Sequence, residues 1–131
     1  MIKKLFAWWD GATLGALFDI AKGGVLVGED GQGNKYYEEK VAKSGSADGV
    51  KRRWVVYHGV AEASRVPPDW HGWLHHTFDQ PPTEAPLRRQ SFEQEHLPNM
   101  TGTPLAYHPK GSLARGGATP KKSYDAWSPD A

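Results

Sequence analysis

Six histidines are the residues with the most capacity for chemistry in this chain of 131. His71 and His75 lie four apart, the spacing that lets two imidazoles on one helix face approach a single ion. A zinc protease built on such a pair has Glu directly after the first His as general base, and Gly72 stands there instead. His76 falls on another face, and only Asp79 is near as a further donor. The group therefore reads as surface or packed histidines, with no metal expected. Gly28, Gly31 and Gly33 raise a second possibility, a dinucleotide loop. Their order is Gly-x-x-Gly-x-Gly, whereas that loop needs Gly-x-Gly-x-x-Gly followed by a helix N-terminus to hold phosphate. Tyr36-Tyr37 follows here, which signals a strand, so the glycines read as a hairpin turn. Neither a Gly-x-Ser-x-Gly elbow nor a Walker phosphate loop is present. No cofactor and no catalytic residue are expected.

Composition narrows the classes further. With no cysteine, disulfides, zinc ribbons, iron–sulfur ligation and thiol catalysis are excluded. Net charge is +1 with both signs mixed along the chain. Lys51-Arg52-Arg53 is the nearest thing to a basic patch, too short for a nucleic-acid groove, and reads as the exposed start of a strand. No apolar run approaches the roughly 20 residues that span a bilayer. The first 22 residues lack a small-residue cleavage site after a clean apolar stretch and read as mature sequence. Hydrophobic residues are 38% of the chain, and Gly and Pro together fill 25 positions. So little apolar mass on so much stiffened backbone calls for a second surface to bury it.

The elements that would position these residues fall into three regions: an amphipathic helical segment (1–24), a small sheet-plus-helix core (25–78) and an extended partner-binding arm (79–131). In the first, Ile2, Leu5, Phe6 and Trp9, then Leu14, Leu17, Phe18 and Ala21, each repeat the i, i+3, i+4, i+7 spacing of one helix face. At about 100° per residue the two stripes are turned about 120° apart. Two short helices or one bent helix are expected, joined at Asp10-Gly11 and ending at Gly23-Gly24. Trp8, Trp9, Lys3 and Lys4 suit either packing on protein or contact with a membrane surface.

In the second region Val25–Gly28 and Lys35–Glu38 read as strands around a turn-rich run, Glu29 to Asn34. Residues 43–49 read as a loop. Arg53 to His58 is rich in β-branched and aromatic residues and reads as a third strand. Pro67-Pro68 opens a short helix to about Thr77, with Trp70, Trp73, Leu74 and Thr77 on one face. Tyr37, Trp54, Val56, Trp70, Trp73 and Leu74 are the expected core. The third region holds eight of the ten prolines and only scattered larger apolar residues. Ordering about fifty residues costs on the order of 50 kcal/mol of backbone entropy, beyond what so small a core offsets. Single anchors are expected to dock on a partner, and the arm to be disordered without it. Trp8, Trp9 and Trp127 are the tryptophan candidates, since tryptophan is enriched at interface centres. Phe92, Tyr107 and Tyr124 are the other aromatic candidates.

Four runs also carry a family pattern: Val27 to Glu38, Arg52 to Tyr57, Val66 to His76, and Asn99-Met100-Thr101-Gly102-Thr103-Pro104-Leu105-Ala106-Tyr107. In this order, over residues 27 to 107, they resemble the alpha-subcomplex subunit 12 family of NADH:ubiquinone oxidoreductase, respiratory complex I. The resemblance implies a non-catalytic supernumerary subunit of the peripheral arm, near the quinone module and the membrane surface. Its partner would be the subunit that holds two iron–sulfur clusters. The fourth run adds Asn99, Thr101, Gly102, Thr103 and Tyr107 as expected partner contacts. A related assembly factor shares the central runs but looks unlike this chain from Asn99 to Tyr107, which favours the permanent subunit. With no presequence visible, the expected location is the cytoplasmic face of a bacterial inner membrane, or the matrix side if the protein is organellar. Read from the residues alone, a free-standing binding module is the alternative; it would be compact by itself.

Overall fold

The computed structural model describes residues 10–42, 49–109, 112–115 and 127–129. The expected first helical stripe (Ile2 to Trp9), most of the 43–49 loop and Tyr124 lie outside them. The fold is small α+β, with elements in the order α1 (Leu14–Gly23), β1 (Gly24–Glu29), β2 (Lys35–Glu39), β3 (Arg53–Val56), a 3-10 turn (Ala63–Arg65), α2 (Pro68–Leu74) and a 3-10 turn (Leu113–Arg115). The chain divides into two units, residues 1–99 and 100–131.

Helix α1 starts where the Thr13 hydroxyl accepts from the Ala16 N–H, and ends where the Gly24 N–H donates to the Ile20 carbonyl. Asp10-Gly11 does break the chain before it. Gly11 has φ +74°, its N–H donates to Gly59 O, and its carbonyl accepts from Tyr57 N. The face α1 turns inward is not the expected one. Leu17 is half-buried with Ala16 and Ile20, while Leu14, Phe18 and Ala21 point outward, Phe18 being 68% exposed. The spacing defined a stripe without defining which side of it the sheet would take.

The sheet is antiparallel in the order β1-β2-β3. Its hairpin is organised by one carboxylate. Asp30 Oδ1 accepts from Gln32 N and Asn34 N, and Asp30 Oδ2 accepts from Asn34 Nδ2 and the Tyr36 hydroxyl, all at 2.8–3.0 Å. Gly33, with φ +84°, supplies the left-handed residue that this turn requires. A bulge interrupts the β1–β2 pairing between Leu26 and Gly28.

Strand pairing sets Tyr36 opposite Val55 and Tyr37 opposite Trp54. Adjacent residues of a strand face opposite sides. The core is on the Tyr36 side: Tyr36, Val66, Trp70 and Trp73 are buried, with Val27, Val55, Tyr57, Leu74 and Phe78 packed around them. Trp70 and Trp73 thus occupy the core and Leu74 borders it. Tyr37, Trp54 and Val56 are only half-buried on the other face, so their expected core positions are corrected. Both parities of these strands are apolar, and alternation alone could not choose between them. Asp19 of α1 bonds Arg52 at 3.2 Å, and Arg52 lies over the Trp54 ring. Helix α1 therefore approaches from the Trp54 side, and α2 from the Tyr36 side.

Helix α2 ends at Leu74, three residues before the expected Thr77. His76 is left-handed at φ 57°, and bonds from His76 N to Trp73 O and from Thr77 N to Gly72 O close a Schellman cap. Thr77 is consequently outside the helix and exposed. The chain folds back so closely that a Cβ on Gly72 would collide with the Phe78 ring.

Candidate functional site

The aromatic cluster is the best-defined constellation in the first unit. Tyr36 stacks on Trp70 with centroids 4.0 Å apart and planes 5° from parallel. Trp73 meets both rings edge-on, at 6.4 and 5.5 Å. Gly28 makes the stack possible, since a Cβ there would lie 2.8 Å from Trp70 and from Thr83. Burial pushes the Tyr36 phenol pKa far above its ordinary value, and the Asp30 carboxylate at its hydroxyl adds to the shift. Burial also raises Tyr57. Both shifts favour the neutral phenols, which suits packing.

Arg53, read from sequence as an exposed strand start, is almost wholly buried. It donates to Glu38 Oε1 at 3.0 Å, to Trp73 O at 2.6 Å, to Phe78 O at 3.1 Å and to Asp79 O at 3.3 Å. Its guanidinium also sits 4.6 Å from the Trp73 ring centre. One cation thus joins β3 to the carbonyls at the end of α2, where a helix favours positive charge. Lys51 and Arg52 stay more exposed and pair with Glu38, Glu39 and Asp19. Sequence reading missed Tyr36, Arg53 and Asn34. A signal for Tyr36 was present: the hairpin places side-chain-free Gly28 opposite it, leaving room for a large ring.

The histidines do not gather into a ligand set. The His71 and His75 rings lie 4.2 Å apart, tilted against each other by 33°. Burial, with Arg53 nearby, lowers the pKa of His76. No group of three or more His, Asp or Glu among the described residues could hold a metal ion. No helix among them is long and apolar enough to cross a membrane.

The expected partner contacts are placed as follows. Phe92, Tyr107 and Trp127 are each more than four-fifths exposed. The Asn99 N–H donates to Ser64 Oγ at 2.9 Å. Thr101 is exposed. Gly102, at φ +82°, and Thr103 shape a turn in which Thr103 N and Oγ1 both donate to Met100 O. Trp8 and Trp9 lie outside the described residues, as does Tyr124.

A three-stranded sheet closed by an aromatic cluster, continued by a proline-rich chain with outward-facing rings, defines a small α+β module without a gathered catalytic centre among its described residues. The chain belongs to the NADH ubiquinone oxidoreductase subunit NDUFA12 family, whose model matches residues 24–129. It is 38% identical over 116 residues to NADH dehydrogenase [ubiquinone] 1 alpha subcomplex subunit 12 of Bos taurus, covering 81% of this chain and 72% of that one. It is also 38% identical over 112 residues to the probable counterpart of Arabidopsis thaliana, covering 82% and 68%. A bacterial relative, an uncharacterized protein of Rickettsia prowazekii, is 38% identical over 63 residues, covering 47% and 59%.

Proposed function

We propose that this chain is a non-catalytic accessory subunit of respiratory complex I. It stabilises the peripheral arm near the quinone module and the membrane surface, against the subunit that carries two iron–sulfur clusters. The observation that carries this reading is the family match over residues 24–129, since the curated relatives are alpha subcomplex subunits of NADH dehydrogenase by name. The outward rings of Phe92, Tyr107 and Trp127 support it physically, because an isolated chain gains nothing from leaving such area in water. These three act as anchors, with Trp8, Trp9 and Tyr124. Residues Asn99 to Tyr107, including Thr101, Gly102 and Thr103, form the contact turn. The location is the cytoplasmic face of a bacterial inner membrane, and the Rickettsia relative supports a bacterial member. Lys3, Lys4 and the two neighbouring tryptophans let the N-terminal segment touch lipid there.

Purification of active complex I from the source cell tests this. The chain should be present in amounts equal to the iron–sulfur subunits. Its absence from active enzyme, with presence only in immature particles, would point to the assembly factor instead.

A further inference from the structure

The two outer edges of the sheet end differently. Beyond β3 the chain closes its own edge: Tyr57 N donates to Gly11 O, Gly11 N donates to Gly59 O, and Asp10 bridges to Val60. The other edge is β1. Its pairing with β2 fixes which backbone groups it has left over. The Lys40 N–H donates to Gly23 O, so these two are a hydrogen-bonded pair in the register that sets Gly24 opposite Glu39. Such pairs alternate along an antiparallel ladder. Val25 therefore bonds to Glu38, while the Gly24 carbonyl and both the N–H and carbonyl of Leu26 turn outward. The Gly24 N–H is spent on Ile20 O. No described residue bonds to the three outward groups.

The stretch lacks the charges and prolines that keep a bare edge from pairing. Residues 24–28 contain neither, and Val25 and Leu26 are 44% and 53% exposed. The bulge between Leu26 and Gly28, with Thr83 packed at Gly28, limits the open edge to residues 24–27. Beside it lies a cavity of about 420 Å³ lined by Leu26, Val27 and Trp73 and by the carboxylates of Glu38, Asp79 and Glu84, with no cation in its lining. Arg53 takes Glu38, whereas Asp79 and Glu84 are exposed.

We propose that an extended segment of a neighbouring subunit adds a short fourth strand to β1 at residues 24–27 and places a lysine or arginine in the cavity beside Trp73. The proposal rests on the subunit reading above. The outward groups name the occupant: acceptor, donor and acceptor along one edge are matched together by another extended backbone, and by no single side chain. The lining names the side chain. A long basic residue lays its apolar stem on Val27 and Trp73 while its charge reaches Asp79 and Glu84.

The test uses the full chain in its source cell, with complex I purified and subunit amounts compared. Leu26→Pro removes an outward donor and leaves the β1–β2 ladder intact, because that N–H is not part of it. Leu26→Thr alters the same side chain and keeps the N–H in a residue that suits a strand. Incorporation should fall about tenfold for Leu26→Pro, which loses a hydrogen bond and sets a ring in the added strand's path, and stay within about threefold for Leu26→Thr. Equal levels for the two, high or low, overturn the added strand. Glu84→Lys, an exposed change that leaves the core alone, should lower incorporation about threefold or more by placing like charge against the basic residue; unchanged incorporation overturns the basic occupant. Hydrogen exchange in the purified complex reads the edge without any substitution. The Leu26 amide should exchange about as slowly as that of Val25, its ladder-bonded neighbour. A Leu26 amide that exchanges freely beside a protected Val25 overturns the proposal and leaves the subunit reading intact. Absence of the unaltered chain from complex I overturns that reading instead. A dimer of the free chain that Leu26→Pro dissociates would name a second copy as the occupant and overturn the proposal.

Discussion

At the scale of single residues, parity within β2 and β3 decides what each aromatic side chain is worth. Trp73 is buried to 1% exposure and contacts Tyr36, Trp70 and the Arg53 guanidinium. Trp73→Ala should cost about 3–5 kcal/mol, enough to unfold so small a core. Trp54 keeps only a half-buried position under Arg52, and Trp54→Ala should cost clearly less, about 1–2 kcal/mol at the lower end for lost apolar area. Melting curves of the two variants would show the difference; equal losses would mean that the Trp54 face is core as well. Tyr36 yields a pH prediction. Its folded pKa is raised above the ordinary value of 10.0, chiefly by burial. The stability that its neutral form contributes is complete below pH 10 and is lost as pH rises further, because the unfolded phenol then ionises and the folded one does not. Each unit above that point should remove about 1.4 kcal/mol per such group. Tyr36→Phe should lower stability by about 1 kcal/mol near neutral pH and flatten this alkaline decline. Alkaline titrations followed by circular dichroism, with and without the substitution, check both statements.

At the scale of elements, helix α2 is short because its end is set by a cap. The cap puts His76 in the left-handed region, a conformation costing a residue with a Cβ roughly 1 kcal/mol relative to glycine. His76→Gly should therefore raise stability by about 0.5–1 kcal/mol, and thermal unfolding would show it as a higher midpoint. A lowered midpoint would mean that the imidazole makes a packing contribution larger than the strain. The same element shows what periodicity can give. Trp70 and Trp73 share the helix face that the spacing implied, and both are in the core. For α1 the spacing of Leu14, Leu17, Phe18 and Ala21 was equally regular, yet Leu14, Phe18 and Ala21 point away from the sheet. A stripe reports that a face is apolar; which face packs depends on where the flanking chain is tied. Here Gly11 and Gly24 tie it at both ends.

At the scale of the whole molecule, the boundary that matters for dissection lies at Asn99. Residues 78–99 are bound into the first unit: Arg53 holds Phe78 O and Asp79 O, Thr83 covers Gly28, and His96 and Asn99 are held by Ser64. A chain truncated after Asn99 should therefore melt close to the full chain, within about 1 kcal/mol, because it keeps the whole buried cluster and the bonds that hold residues 78–99 to it. It should nonetheless fail to incorporate stably into complex I, having lost Tyr107 and Trp127. Full incorporation of the truncated chain would remove those anchors from the proposed interface.

The sequence alone determined the kind of fold, because strand and helix periods, turn residues and prolines act locally and leave their mark on neighbouring positions. It also carried the family, through four runs in a fixed order. Tertiary structure decided which side of the sheet became the interior. That choice depended on contacts remote in the chain: Gly28 opposite Tyr36, Trp70 stacked on that ring, and Arg53 reaching the end of α2. Each of these residues has an ordinary local pattern. Only the closing of the fold around one side of the sheet made Tyr36 buried and left Tyr37, its immediate neighbour, half in water.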